Sequence, residues 1–141
     1  MSALSLQETR FSITYGGTLV AVIVRKDHPV DNVEFVGSEE QPLQLGFHEK
    51  KAGVVLFPHL HSGDPRTITA IQEVLYIVKG KIRITYYTLD GKKIDSVDLF
   101  EGDTVLQVGM AHGIEIIEDA RVIEVKQGPY HGTTNVKVQV Q

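Results

Sequence analysis

Gly53-Val-Val-Leu-Phe-Pro-His59-Leu-His61 is followed, across Ser62–Gln72, by Glu73-Val-Leu-Tyr-Ile-Val-Lys-Gly80. The first stretch reads as a short strand, apolar until its polar end. The second reads as another strand, opened by a carboxylate. Between them Ser62-Gly63-Asp64-Pro65 is a strong turn signal. His59 and His61 are two residues apart, so on a strand both imidazoles point to one face, with Cβ atoms about 6–7 Å apart. Two imidazoles aimed into one space can share a metal ion. A lone barrel histidine is more often a satisfied core residue. A pair at the end of an apolar strand fits that role poorly, because each buried ring nitrogen needs a partner. Glu73 opens an apolar run in which a carboxylate is costly to bury unpaired, although a solvated strand end would also suit it.

Working outward, short β-rich runs alternate with turn clusters. Phe11–Thr14 and Thr18–Arg25 flank Tyr15-Gly16-Gly17 as a hairpin. Lys26–Val33 is a loop and Gln44–His48 a short strand. Lys81–Thr88 follows Gly80, and Leu89-Asp90-Gly91-Lys92 turns into Lys93–Leu99. Thr104–Val108 leads to a bend at Gly109–Gly113. Ile114–Ile117 and Arg121–Lys126 form a hairpin around Glu118-Asp119, and Asn135–Val140 is a terminal strand. Val, Ile and Thr supply 40 residues, against 17 Ala and Leu, an excess that favours strands over helices. Turns every 8–12 residues in an all-β chain predict a sandwich or jelly-roll barrel. The 141 residues suit one domain, with residues 1–35 as an N-terminal hairpin and loop and residues 43–126 as the barrel core.

Composition excludes several classes. A net charge of -4 argues against a nucleic-acid or anionic-membrane binder, which needs a basic face. Without cysteine there are no disulfides, thiolate ligands or cysteine nucleophile. The first ten residues carry no basic and apolar leader pattern, and the longest apolar run, Leu19–Val24, is too short to span a bilayer. A cytoplasmic protein is the expectation.

Leu19–Val24 shows no polar alternation. Glu73–Val78 places Leu75 and Ile77 on one face and Val74, Tyr76 and Val78 on the other. Strands apolar on both faces are covered on both. The cover is either a second subunit or an N-terminal segment of the same chain folded over the barrel. The expectation is a homodimer.

The stretch from Gly53 to His61 reproduces the pattern Gly-x5-His-x-His, and Glu73 to Gly80 reproduces Glu-x6-Gly. Gly102, Gly109 and His112 resemble Gly-x5-Pro-x-Gly-x2-His, with Gln107 where proline is usual. The chain thus resembles the cupins, specifically small single-domain metal-binding ones. The resemblance implies an all-β double-stranded β-helix (jelly-roll) barrel. It also implies that His59, His61, Glu73 and His112 hold one divalent metal ion. His112 on its own would read as a surface turn histidine. Three imidazoles and one carboxylate in an octahedral site leave two positions open, which suits Fe, Mn, Co or Ni. A tetrahedral Zn site would be filled.

On Arg121–Lys126 the alternation separates Val122, Glu124 and Lys126 from Arg121, Ile123 and Val125. The resemblance implies that Glu124 and Lys126 face the cavity as catalytic groups. Residue chemistry alone also allows a solvated ion pair, with Ile123 and Val125 in the core. A carboxylate and an ammonium beside a Lewis acid can move a proton α to a carbonyl. The expected function is a metal-dependent enzyme on a small polar substrate, sugar-derived or a carbonyl acid, with isomerase or epimerase chemistry. A non-catalytic metal and small-ligand binder, or an oxygenase using the same site, are the alternatives. Arg66, in the long connection after His61, is a candidate for binding an anionic group of the substrate.

Overall fold

The structure, a computed structural model, describes residues 8–129. The expected strand Asn135–Val140 and the residues Tyr130 and His131 lie outside that range. Eight strands run in chain order: β1 Arg10–Tyr15, β2 Thr18–Val24, β3 Val33–Val36, β4 Leu45–His48, β5 Glu73–Tyr87, β6 Lys93–Phe100, β7 Thr104–Gln107 and β8 Ala111–Lys126. Every pairing is antiparallel, and the described residues contain no helix. One sheet has the order β1-β2-β7-β5-β6 with β8 on β5, and β3-β4 form a separate two-stranded sheet. The fold is all-β, a single curled antiparallel sheet with a hairpin laid on it.

Two sequence divisions disappear in the structure. Glu73–Val78 and Lys81–Thr88 merge into β5, and the expected hairpin around Glu118-Asp119 is one continuous strand, β8. The cause is Gly80. Its φ of +86° lets β5 change direction without ending. The first half of β5 pairs with β7, its second half with β6, and β8 follows both halves. The register between β5 and β8 shifts between Ile77 and Ile82 to absorb the bend.

The alternation of β5 fixes the core. Leu75, Ile77, Ile82, Ile84 and Tyr86 are buried with Ile13, Ala21, Ile23, Leu99 and Val105 on the concave side. On the convex side Val22 and Val24 are buried against Val36, with Leu19, Leu45 and Phe47 packed around them. Among the described residues the cover over this face of β2 is the β3–β4 hairpin of the same chain. The loop expected over Lys26–Val33 gives way to β3 at Val33.

Asp103, buried in the β6–β7 turn, ties this turn to the end of β2. Its carboxylate accepts from Arg25 Nη1 at 2.7 Å and from the backbone N–H groups of Lys26 at 3.1 Å and Phe100 at 2.9 Å. On β6, Asp98 accepts from Arg83 Nε at 2.7 Å and pairs with Lys81 Nζ at 3.2 Å. The Arg83 hydrogen bond, helped by Lys81, holds the Asp98 carboxyl down at about 2. A depressed carboxylate contributes stability above its unfolded pKa of about 3.9, and that contribution is lost as pH falls through the folded value. The melting temperature is therefore expected to fall between about pH 4 and pH 2, and Asp98→Asn to fall less over the same window. Parallel curves for the two proteins would show that this pair does not act.

Candidate functional site

Residues directly opposite in an antiparallel pair project to the same face. The register pairs Glu73 with Gln107 and with Lys126, Leu75 with Glu124, Ile77 with Val122, and Tyr86 with His112. Leu75, Ile77 and Tyr86 are core residues, and Val122 packs against that core. Glu73, Gln107, His112, Glu124 and Lys126 therefore share the concave face, with Ile123 and Val125 half-exposed on the other side.

Gln107 is the hub. It is buried, and its Oε1 accepts from the Tyr86 hydroxyl at 3.0 Å. Its Nε2 donates to Glu73 Oε2 at 3.0 Å and lies 3.5 Å from His112 Nε2. Burial, together with the nearby Glu73 charge, pushes the Tyr86 hydroxyl up. Tyr86 thus stays a donor, which orients the Gln107 amide with its NH2 toward Glu73 and His112. His112 Nε2 and Glu73 Oε2 are themselves 3.5 Å apart. A carboxylate and an imidazole nitrogen thus converge at the end of a buried polar chain.

His59 and His61 lie elsewhere. Residues 49–72 form no strand, so the expected strand Gly53–His61 is an extended segment without a ladder. Its apolar side chains are exposed, Phe57 at 82%. The two imidazoles stay together, with ring centroids 5.3 Å apart. His59 Nδ1 donates to the Phe57 carbonyl oxygen at 2.8 Å, because a carbonyl oxygen can only accept. The structure brings Glu73 to His112 and His59 to His61, but does not join the two pairs. Among the described residues no three His, Asp or Glu side chains converge closely enough to hold a metal ion. Arg66 is exposed in the same segment. Glu124 Oε1 pairs with Lys126 Nζ at 3.3 Å. A groove of about 360 Å³ lies instead on the convex side, between Tyr76 and Val78 of β5 and Phe47 and His48 of the hairpin, away from Glu73.

Sequence reasoning missed Gln107 and Tyr86 as site residues. A signal was available: Gln107 is a polar residue in the apolar run Thr104–Val108, two residues after Val105, and so on the core-facing side. No protein-family model matches the chain, and no similar protein was found among curated proteins or solved structures.

Proposed function

We propose that this chain is a cupin-type divalent-metal protein. On this reading it is a metal-dependent enzyme that moves a proton on a small polar substrate, sugar-derived or a carbonyl acid. The observation that carries the proposal is the concave-face cluster, in which Gln107 aims Glu73 and His112 at one point with Glu124 and Lys126 on the same face. His59, His61, Glu73 and His112 would hold the ion. The donor set fits one: a ligating histidine characteristically donates its second ring N–H to a carbonyl or carboxylate, as His59 does to Phe57. Gln107 likewise braces Glu73. Bound there, the ion would supply a Lewis acid to polarise a carbonyl. Glu124 would take the proton, and Lys126 would hold the developing negative charge nearby.

A second reading, a non-catalytic metal and ligand binder, draws support from the direct Glu124–Lys126 ion pair, which already occupies the carboxylate. The homodimer keeps one support: Tyr76 and its register partner Ile123 are both exposed on the convex side.

Elemental analysis after metal loading and desalting is expected to find about one divalent ion per chain, released on acidification as the imidazoles protonate. His112→Ala and the double variant His59→Ala, His61→Ala should weaken metal binding by more than about 100-fold, since loss of an outer partner alone costs about 10–100-fold. Gln107→Leu, which removes such a partner, should fall in that lower range. Full metal content in the double variant would overturn the metal centre.

A further inference from the structure

We infer that the convex groove is a binding site for a small zwitterion with an apolar body, an α-amino acid whose side chain is apolar or aromatic. The floor of the groove is one row of the main sheet: Val24 on β2 pairs with Thr104 on β7, and Thr104 with Tyr76 on β5. Val24 packs against the β3–β4 hairpin, so this row faces the hairpin, whose Phe47 and His48 form the opposite wall. At about 360 Å³ the groove lies at the small end of ligand pockets, which run from about 300 to 1,000 Å³. That space suits an occupant the size of a single amino acid. Its apolar body would rest between Tyr76 and Val78 on one side and Phe47 on the other.

Thr104 is the polar group of the floor. The residue is 7% exposed, and its hydroxyl has no hydrogen-bond partner among the described residues. A hydroxyl at that depth costs stability unless something meets it, and a carboxylate lying in the groove would accept from it. The walls around it are tied down. Asp103 accepts from the Lys26 N–H and from Arg25 Nη1. His28 donates from Nε2 to Glu34 Oε2 at 2.9 Å and accepts the Thr9 hydroxyl at Nδ1, also at 2.9 Å. Arg10 pairs with the other oxygen of Glu34.

Charge then selects the ligand. Arg25 is matched by Asp103 and His28 by Glu34. Three other charged side chains line the groove, Lys26, Glu49 and Glu101, and none of them has an ion pair among the described residues. The Lys26 stem lies across Gly102, where a Cβ would come within 2.7 Å of Lys26 Cδ. The bare glycine thus gives the lysine its place along the wall. One ammonium and two carboxylates complement a ligand that carries a carboxylate and an ammonium. A simple carboxylate or a phosphate would meet Lys26 but face Glu49 and Glu101 with nothing to offset them. A bare amine would leave Lys26 and the Thr104 hydroxyl unmet.

The test is a titration of the full chain, in chelator, with L-phenylalanine and with L-leucine, read by backbone amide chemical shifts. Saturable shifts are expected at Lys26, Tyr76 and Thr104. On the unaltered protein, 3-phenylpropionate, which lacks the ammonium, and phenylethylamine, which lacks the carboxylate, should each bind at least about ten-fold more weakly than L-phenylalanine, the usual loss with one charged hydrogen bond. Thr104→Val and Lys26→Met, each near in shape to the native residue, should weaken L-phenylalanine by a similar factor. The absence of saturable shifts with either amino acid up to about 10 mM, well above a millimolar dissociation constant, would overturn the site. Equal binding of 3-phenylpropionate would overturn the zwitterion, and undiminished affinity in both variants would place the ligand elsewhere. Because the titration is run in chelator, its result stands apart from that of metal loading on the concave face.

Discussion

Gly80→Ala is expected to lower the melting temperature by about 10–20 °C. Gly80 holds φ +86° where β5 bends, a conformation that costs about 1–3 kcal/mol for a residue with a side chain. The larger cost is steric. A Cβ there meets the carbonyl oxygen of Asp119 and comes within 2.7 Å of Ala120 Cα and 2.8 Å of Asp119 C. These are backbone atoms of β8, which cannot retreat without opening the β5–β8 ladder. Together the two costs reach about 3–5 kcal/mol, and each kcal/mol moves the melting point of a chain this size by roughly 3–5 °C. Gly53→Ala is the control. Gly53 has a similar φ of +92° with nothing within 4 Å of the added Cβ, so only the smaller backbone cost applies. Thermal unfolding that ranks the two variants equal would show that β8 does not approach Gly80 closely.

On the proposed enzymatic reading, Glu124→Gln should abolish most turnover and little else. The amide matches the carboxylate in shape and still hydrogen-bonds, but it accepts no proton at neutral pH. Loss of a positioned general base costs about 10²–10⁴-fold in rate. The side chain lies beside Lys126 and not in the packed core, so metal content and melting temperature should hold. Turnover unchanged on a substrate that the native protein converts would remove Glu124 from the chemistry and favour the binding reading. A variant that loses its metal would instead make Glu124 a ligand.

The strands were legible where local pattern and tertiary context agree. Gly16 and Gly17 mark the first hairpin because both adopt positive φ, and the alternation of Val122, Glu124 and Lys126 assigns them to one face. The pattern misleads where a glycine bends a strand without ending it: Gly80 looks like punctuation, yet β5 runs through it. Asp119 and Glu118 look like a turn, yet β8 runs on through them, following the bend of β5 with shifts of register between Ile77 and Ile82. The apolar run at residues 53–57 carries a strand signal that the described ladders leave unused. Of the candidate site, the carboxylate–imidazole pair was legible by its resemblance to a known motif. Gln107 was not, because a motif records which residues depart from it and not what a departure does. Only the register shows that this glutamine stands between Tyr86 and Glu73.

The continuity of β5 also has a consequence for synthesis. Glu73 finds its partner at Lys126, more than fifty residues later in the chain. A nascent chain that has emerged only through β7 holds β5 with one edge bare along its whole length and Ile82, Ile84 and Tyr86 without their β8 neighbours. Contacts of such long sequence separation form late, because the loop-closure entropy is paid before any pairing repays it. Folding of this sheet therefore waits for β8 to leave the ribosome, and the interval before then is when the chain is most exposed to aggregation.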